Sequence, residues 1–81
     1  MRRVVVYGAD GCHLCASALA VLERVRAEQP FELVEVMIDG DGGLEARYRE
    51  RIPVVELDGV ELFTYFVHPD VLRARLAAPP G

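Results

Sequence analysis

The chain has 81 residues, a formal net charge of −4 and 52% hydrophobic residues. That is one domain's worth of sequence, too apolar for a disordered segment and too short for two cores. Its 9 basic residues are all Arg and are outnumbered by 13 acidic ones, which makes nucleic acid and an anionic membrane surface poor electrostatic partners.

Residues 4–7, Val-Val-Val-Tyr, form a β-branched run that predicts a buried strand. Arg2 and Arg3 precede it, but the run is shorter than the roughly 7–15 residues of a secretion-signal core. No stretch approaches the ~18 apolar residues of a spanning helix. The expectation is a cytoplasmic monomer. Gly8, Asp10 and Gly11 break the strand into a loop. From Cys12 to about Glu28 nothing interrupts a helix. Leu14, Ala18, Val21, Leu22 and Val25 recur with helical spacing. Leu19 and neighbouring alanines widen that face, so the start of the helix is expected to be well buried. Pro30 ends it.

Residues 31–38 alternate, with Phe31, Leu33, Val36 and Ile38 apolar, and predict a second strand. In the loop that follows, Asp39, Asp41 and Glu50 are spaced like calcium ligands. Leu44 occupies the position where such a loop needs Gly, so this is a solvated loop. A short helix over 44–49 places Leu44 and Tyr48 on one face. Residues 53–57 and 60–63 flank Asp58-Gly59, a strong hairpin signal. Pro69 suits the first position of a closing helix, with Asp70 beside it at the positive end of the dipole and Val71, Leu72 and Leu76 on its apolar side. Residues 77–81 read as a frayed tail. The order β-α-β-α-β-β-α gives a right-handed parallel crossover followed by a hairpin. This is a four-stranded mixed sheet with helices on both faces.

The two cysteines are too few for a disulfide scaffold or a four-thiolate zinc site. Their spacing, Cys12-His13-Leu14-Cys15, and their place at a strand-to-helix junction carry the chemistry. The thiolate is the nucleophile, and free first-turn amides and the helix dipole favour the anion at Cys12. Cys15, about one turn later and inside the helix, is expected to be less exposed. The pattern assigns attack to Cys12 and resolution to Cys15. A protonated His13 would support the thiolate and a nearby Asp10 would oppose it.

Two other readings stand beside this one. Cu(I) carriers also place a Cys-x-x-Cys at the start of their first helix. Their order is β-α-β-β-α-β, whereas this chain has a helix between its second and third strands. A redox-inactive interaction module is the other. A zinc site built on Cys12, His13, Cys15 and His68 is disfavoured because adjacent Cys and His side chains diverge.

The motif Cys12-His13-Leu14-Cys15, the run Arg51-Ile52-Pro53-Val54-Val55 and the Asp58-Gly59 turn together resemble the thioredoxin superfamily, in particular a glutaredoxin-like protein. The resemblance covers residues 4–77. It implies a thioredoxin-like fold and thiol–disulfide oxidoreductase activity. It also implies a cis Ile52–Pro53 bond facing the cysteines, with the Ile52 backbone free to pair with an extended substrate. Glutaredoxins are similar to one another in a Gly-Gly pair after the hairpin that holds glutathione. This sequence has Thr64-Tyr65-Phe66-Val67 in that stretch. A protein disulfide therefore stands beside reduced glutathione as substrate or co-substrate, and no metal or nucleotide cofactor is implied. Tyr65 and Phe66 are read as an apolar patch near the site or, the favoured reading in so small a domain, with at least one of them in the core.

Overall fold

A computed structural model describes residues 1–79. The chain forms β1 (Arg3–Gly8), α1 (His13–Glu28), β2 (Glu32–Met37), α2 (Gly42–Tyr48), β3 (Val54–Leu57), β4 (Val60–Thr64) and α3 (Pro69–Ala77). The sheet order is β2-β1-β3-β4. β1 runs parallel to β2 and antiparallel to β3, and β3 pairs antiparallel with β4. This is the element order and mixed sheet expected from the sequence.

Alternation along β1 sorts its side chains between two layers. Val4 and Val6 join Leu22 and Val25 of α1, Leu72 of α3, and Val55, Leu57 and Phe63 in the larger core cluster. Tyr7 turns to the opposite face, where Tyr48 of α2 packs with Val54 and Ile38. The Tyr7 and Tyr48 rings stack with centroids 4.3 Å apart. A register shift between Val55 and Glu56 lets both Leu62 and Phe63 of β4 reach the larger cluster, where strict alternation would separate them. Each fully buried aliphatic side chain is worth about 1.5–3 kcal/mol, so these two clusters hold the sheet between its helices.

Three details differ from the sequence reading. The start of α1 is not well buried. Leu14 is 38% exposed, and burial is confined to Ala18, Leu22 and Val25. Leu14 sits in the first turn and belongs to neither core cluster, whereas Leu22 and Val25 further along α1 lie in the larger one. Neither Tyr65 nor Phe66 is core: they are 43% and 61% exposed. β4 ends at Thr64 and the chain then turns away from the sheet. The first residues of the expected frayed tail are ordered in place. Ala77 is still helical, and the Ala78 carbonyl accepts a bond from the Arg2 guanidinium at 2.9 Å. Residues 80–81 of that stretch lie outside the described residues.

Candidate active site

β1 delivers the chain to one end of the sheet, and a short loop then reverses it into α1. Gly11, at φ +74°, supplies a left-handed turn. The loop is tied to the end of β2. The Ile38 N–H donates to the Gly8 carbonyl at 2.9 Å, and the Asp10 N–H donates to Asp39 Oδ2 at 2.8 Å. Asp10 and His13 are both exposed. The backbone bond from Asp10 makes Asp39 part of the frame of this loop, a role its place in a polar, Gly-rich stretch did not reveal.

Cys12 is the N-cap of α1, in an extended conformation at φ −88° and ψ 110°. Its Sγ accepts the Cys15 N–H at 3.1 Å. The sulfur thus takes the place of the oxygen that a Ser or Asp cap would supply, and satisfies one of the first-turn amides. No acidic residue lies in the first turn of α1. Nothing there offsets the positive end of the helix dipole.

Cys12 and Cys15 are joined as a disulfide, with Cα atoms 5.2 Å apart. Both residues are half-buried. The difference between them lies in their contacts more than in their burial class. The Cys12 sulfur receives an amide, whereas the Cys15 sulfur lies against β1. A Cβ placed on Gly8 would come within 3.2 Å of Cys15 Sγ and 3.3 Å of its Cβ. Gly8 therefore does more than break a strand: its missing side chain is the space in which Cys15 sits.

β3 brings the second part of the site. Val54 lies opposite Tyr7, so the antiparallel register carries Pro53 to the Gly8 end of β1. Pro53 is buried, and half-buried Ile52 packs against the smaller core cluster together with Tyr7 and Ala9. The Ile52–Pro53 bond is cis. The Pro53 carbonyl accepts the Tyr65 N–H at 2.9 Å. Among the described residues, neither the N–H nor the C=O of Ile52 has a backbone partner.

The cysteines and Ile52-Pro53 therefore share one end of the sheet. Asp10 and His13 belong instead to a shallow groove on the β2 side, which Cys12, Cys15, Glu35 and Met37 also line. Ile52 and Pro53 do not line that groove. Glu35 and Met37 were read only as strand residues. The alternation of β2 puts them on the face that α1 covers, and they lie past the point where the core closes. Behind the site, burial first, then Glu56 and Tyr48, hold the Tyr7 phenol above its usual pKa. It remains a neutral packing element. Among the described residues no group of three or more His, Cys, Asp or Glu side chains could hold a metal ion. Nor, among the described residues, is any helix long and apolar enough to cross a membrane.

A chain with this frame has counterparts among known proteins. The family described as Glutaredoxin-like domain (DUF836) matches residues 3–77. The chain belongs to this glutaredoxin-like family. A Nitrosomonas europaea protein solved in solution is similar at a TM-score of 0.81 and 40% identity, over 94% of this chain and 92% of that one. An X. campestris protein solved by X-ray diffraction gives 0.78 and 36%, over 95% and 99%. Thioredoxin of Fasciola hepatica gives 0.59 and 25%, over 93% of this chain and 77% of its own. The glutaredoxin-like chain thus has the thioredoxin fold and carries its cysteine pair at the N-terminus of α1.

Proposed function

We propose that this glutaredoxin-like protein is a thiol–disulfide oxidoreductase. The observation that carries the reading is the Cys12 sulfur at the cap of α1, accepting the amide of its own partner Cys15. A helix start of this kind favours thiolate over thiol. In the reduced protein the Cys12 thiolate attacks one sulfur of a substrate disulfide. A Cys12–substrate disulfide forms, the substrate S–S bond breaks, and the other substrate sulfur leaves as a thiolate that takes up a proton. Cys15 then loses its proton and attacks Cys12 Sγ. The Cys12–Cys15 disulfide closes and the second substrate sulfur departs. Two electrons pass from the dithiol to the substrate, and an external thiol, glutathione or a protein dithiol, restores them.

The open N–H and C=O of Ile52 support an extended substrate segment lying beside Pro53 as an added strand. His13 and Asp10 modulate the thiolate through their charge from the groove side. The steps require no metal or nucleotide.

Cys12→Ser is expected to abolish disulfide reduction, and Cys15→Ser to accumulate mixed disulfides visible as a mass increase equal to one substrate half. Full reductase activity in Cys12→Ser would sink the role assignment. A redox titration of the pair in glutathione buffers separates a couple near the roughly −200 to −230 mV of glutaredoxins from one near −270 mV. A mass gain of one glutathione on the Cys15→Ser protein identifies glutathione as a partner.

A further inference from the structure

The residue that follows β4 adopts a backbone conformation that suits glycine. Tyr65 has φ +68°. The Phe66 N–H donates back to the Thr64 carbonyl at 2.7 Å, closing a three-residue turn centred on Tyr65. Turns of this hand are rare and strained, and a bulky residue at their centre persists only when its surroundings hold it there. Glycine would adopt the same φ without that strain. Core burial is not the compensation, because Tyr65 is 43% exposed.

What the side chain gains is a grip on the neighbouring segment. The Tyr65 hydroxyl donates to the Glu50 carbonyl at 2.6 Å, and its N–H donates to the Pro53 carbonyl at 2.9 Å. The two bonds hold both ends of the stretch 50–53. Inside it the Arg51 N–H is bonded to the Tyr48 carbonyl at 2.8 Å, and Ile52 keeps both backbone groups open. A left-handed tyrosine therefore frames the one residue of this stretch offered to a substrate strand.

We propose that Tyr65 is a positioning residue: it fixes the Ile52 backbone for pairing, and so selects disulfides carried on a polypeptide over small disulfides that have no backbone to pair. The inference rests on the thiol–disulfide reading above. It adds a specificity determinant that lies outside the cysteine motif.

The test compares Tyr65→Phe with the unsubstituted residue, each in the Cys15→Ser protein. Tyr65→Phe keeps the ring and the turn and removes only the hydroxyl. The rate of mixed-disulfide formation is measured with a disulfide-bearing peptide and with bis(2-hydroxyethyl) disulfide. The peptide rate is expected to fall roughly fivefold, the worth of one neutral hydrogen bond. The small-disulfide rate and the iodoacetamide labelling of Cys12 stay unchanged. Tyr65→Gly relieves the backbone strain and also loses the hydroxyl. It is expected to show the same selective fall without a lower Tm, which separates positioning from folding. An unchanged ratio of the two rates in Tyr65→Phe overturns the proposal, as does an equal fall with both substrates. Failure of the thiol–disulfide reading looks different: the parent protein then forms a mixed disulfide with neither substrate, and the positioning role falls with it.

Discussion

At the residue scale the proposed chemistry rests on a single sulfur at a helix cap. Because Cys12 Sγ already accepts the Cys15 amide and the first turn of α1 holds no acid, the local field favours negative charge on that atom. In the reduced protein the pH profile of Cys12 alkylation is expected to have its midpoint below the ~8.5 of a free thiol. His13→Asp puts a carboxylate into that turn. A charge there acts on the order of 0.3–1 kcal/mol, so the midpoint is expected to rise by roughly 0.2–0.7 pH units. An unmoved midpoint would show that the cap does not control the thiolate. The placement of Cys12 and Cys15 at the start of α1 was legible from sequence because spacing and position are local properties. Tyr65 was not. Its meaning depends on a left-handed φ and on a carbonyl in the segment before β3, and a large aromatic in a small domain reads first as core. Gly8 was legible as a break but not as the space that Cys15 needs, because that contact joins a strand end to a helix face.

Elements were readable wherever periodicity and punctuation agree. Pro30, Asp58-Gly59 and Pro69 mark ends and turns that the backbone respects. The exposure of the start of α1 is not legible in the sequence, because hydrophobic spacing gives the direction of a face but not how far along it the core extends. The hairpin turn carries a prediction of its own. Asp58, at φ +50°, accepts the Arg3 N–H and the Arg2 guanidinium, and these bonds, Arg3 first, hold its carboxyl below the usual range. A depressed folded-state pKa contributes stability above the unfolded value, and that stability is lost as pH falls through the folded one. Asn tolerates the same backbone conformation but cannot carry the charge. Asp58→Asn is therefore expected to lower the urea midpoint most at neutral pH, with the gap to the parent protein shrinking as the solution is acidified below the ordinary carboxylate range. A gap that is constant from pH 7 to pH 3 would assign the effect to shape instead of charge.

At the scale of the molecule, the two ends of the sheet divide the work. One end holds the cysteines and Ile52-Pro53, and the other is closed by Arg2. The Arg2 guanidinium binds Asp58 of the hairpin, and the same side chain donates to the carbonyls of Arg75, Leu76 and Ala78 at 3.3, 3.2 and 2.9 Å. Those carbonyls belong to the last turn and cap of α3, where a helix lacks internal donors and its dipole favours a cation. One side chain thus joins the start of β1, the β3–β4 turn and the end of α3. Composition alone could not show this, because Arg2 reads as a solvated charge before a strand. Hydrogen bonds from a charged donor are worth about 1.5–3 kcal/mol. Arg2→Ala is expected to cost about that much in urea unfolding, a large share of the 5–15 kcal/mol typical of a domain. Arg2→Lys keeps the charge but not the fork and should recover only part of it. Because Arg2 and Asp58 share one bond, Arg2→Ala and Asp58→Asn together should cost less than the sum of the single changes. Strict additivity would mean that the hairpin and α3 are held independently. In every variant that remains folded, Cys12 labelling should match the parent protein, since the staple and the sulfur sit at opposite ends of β1.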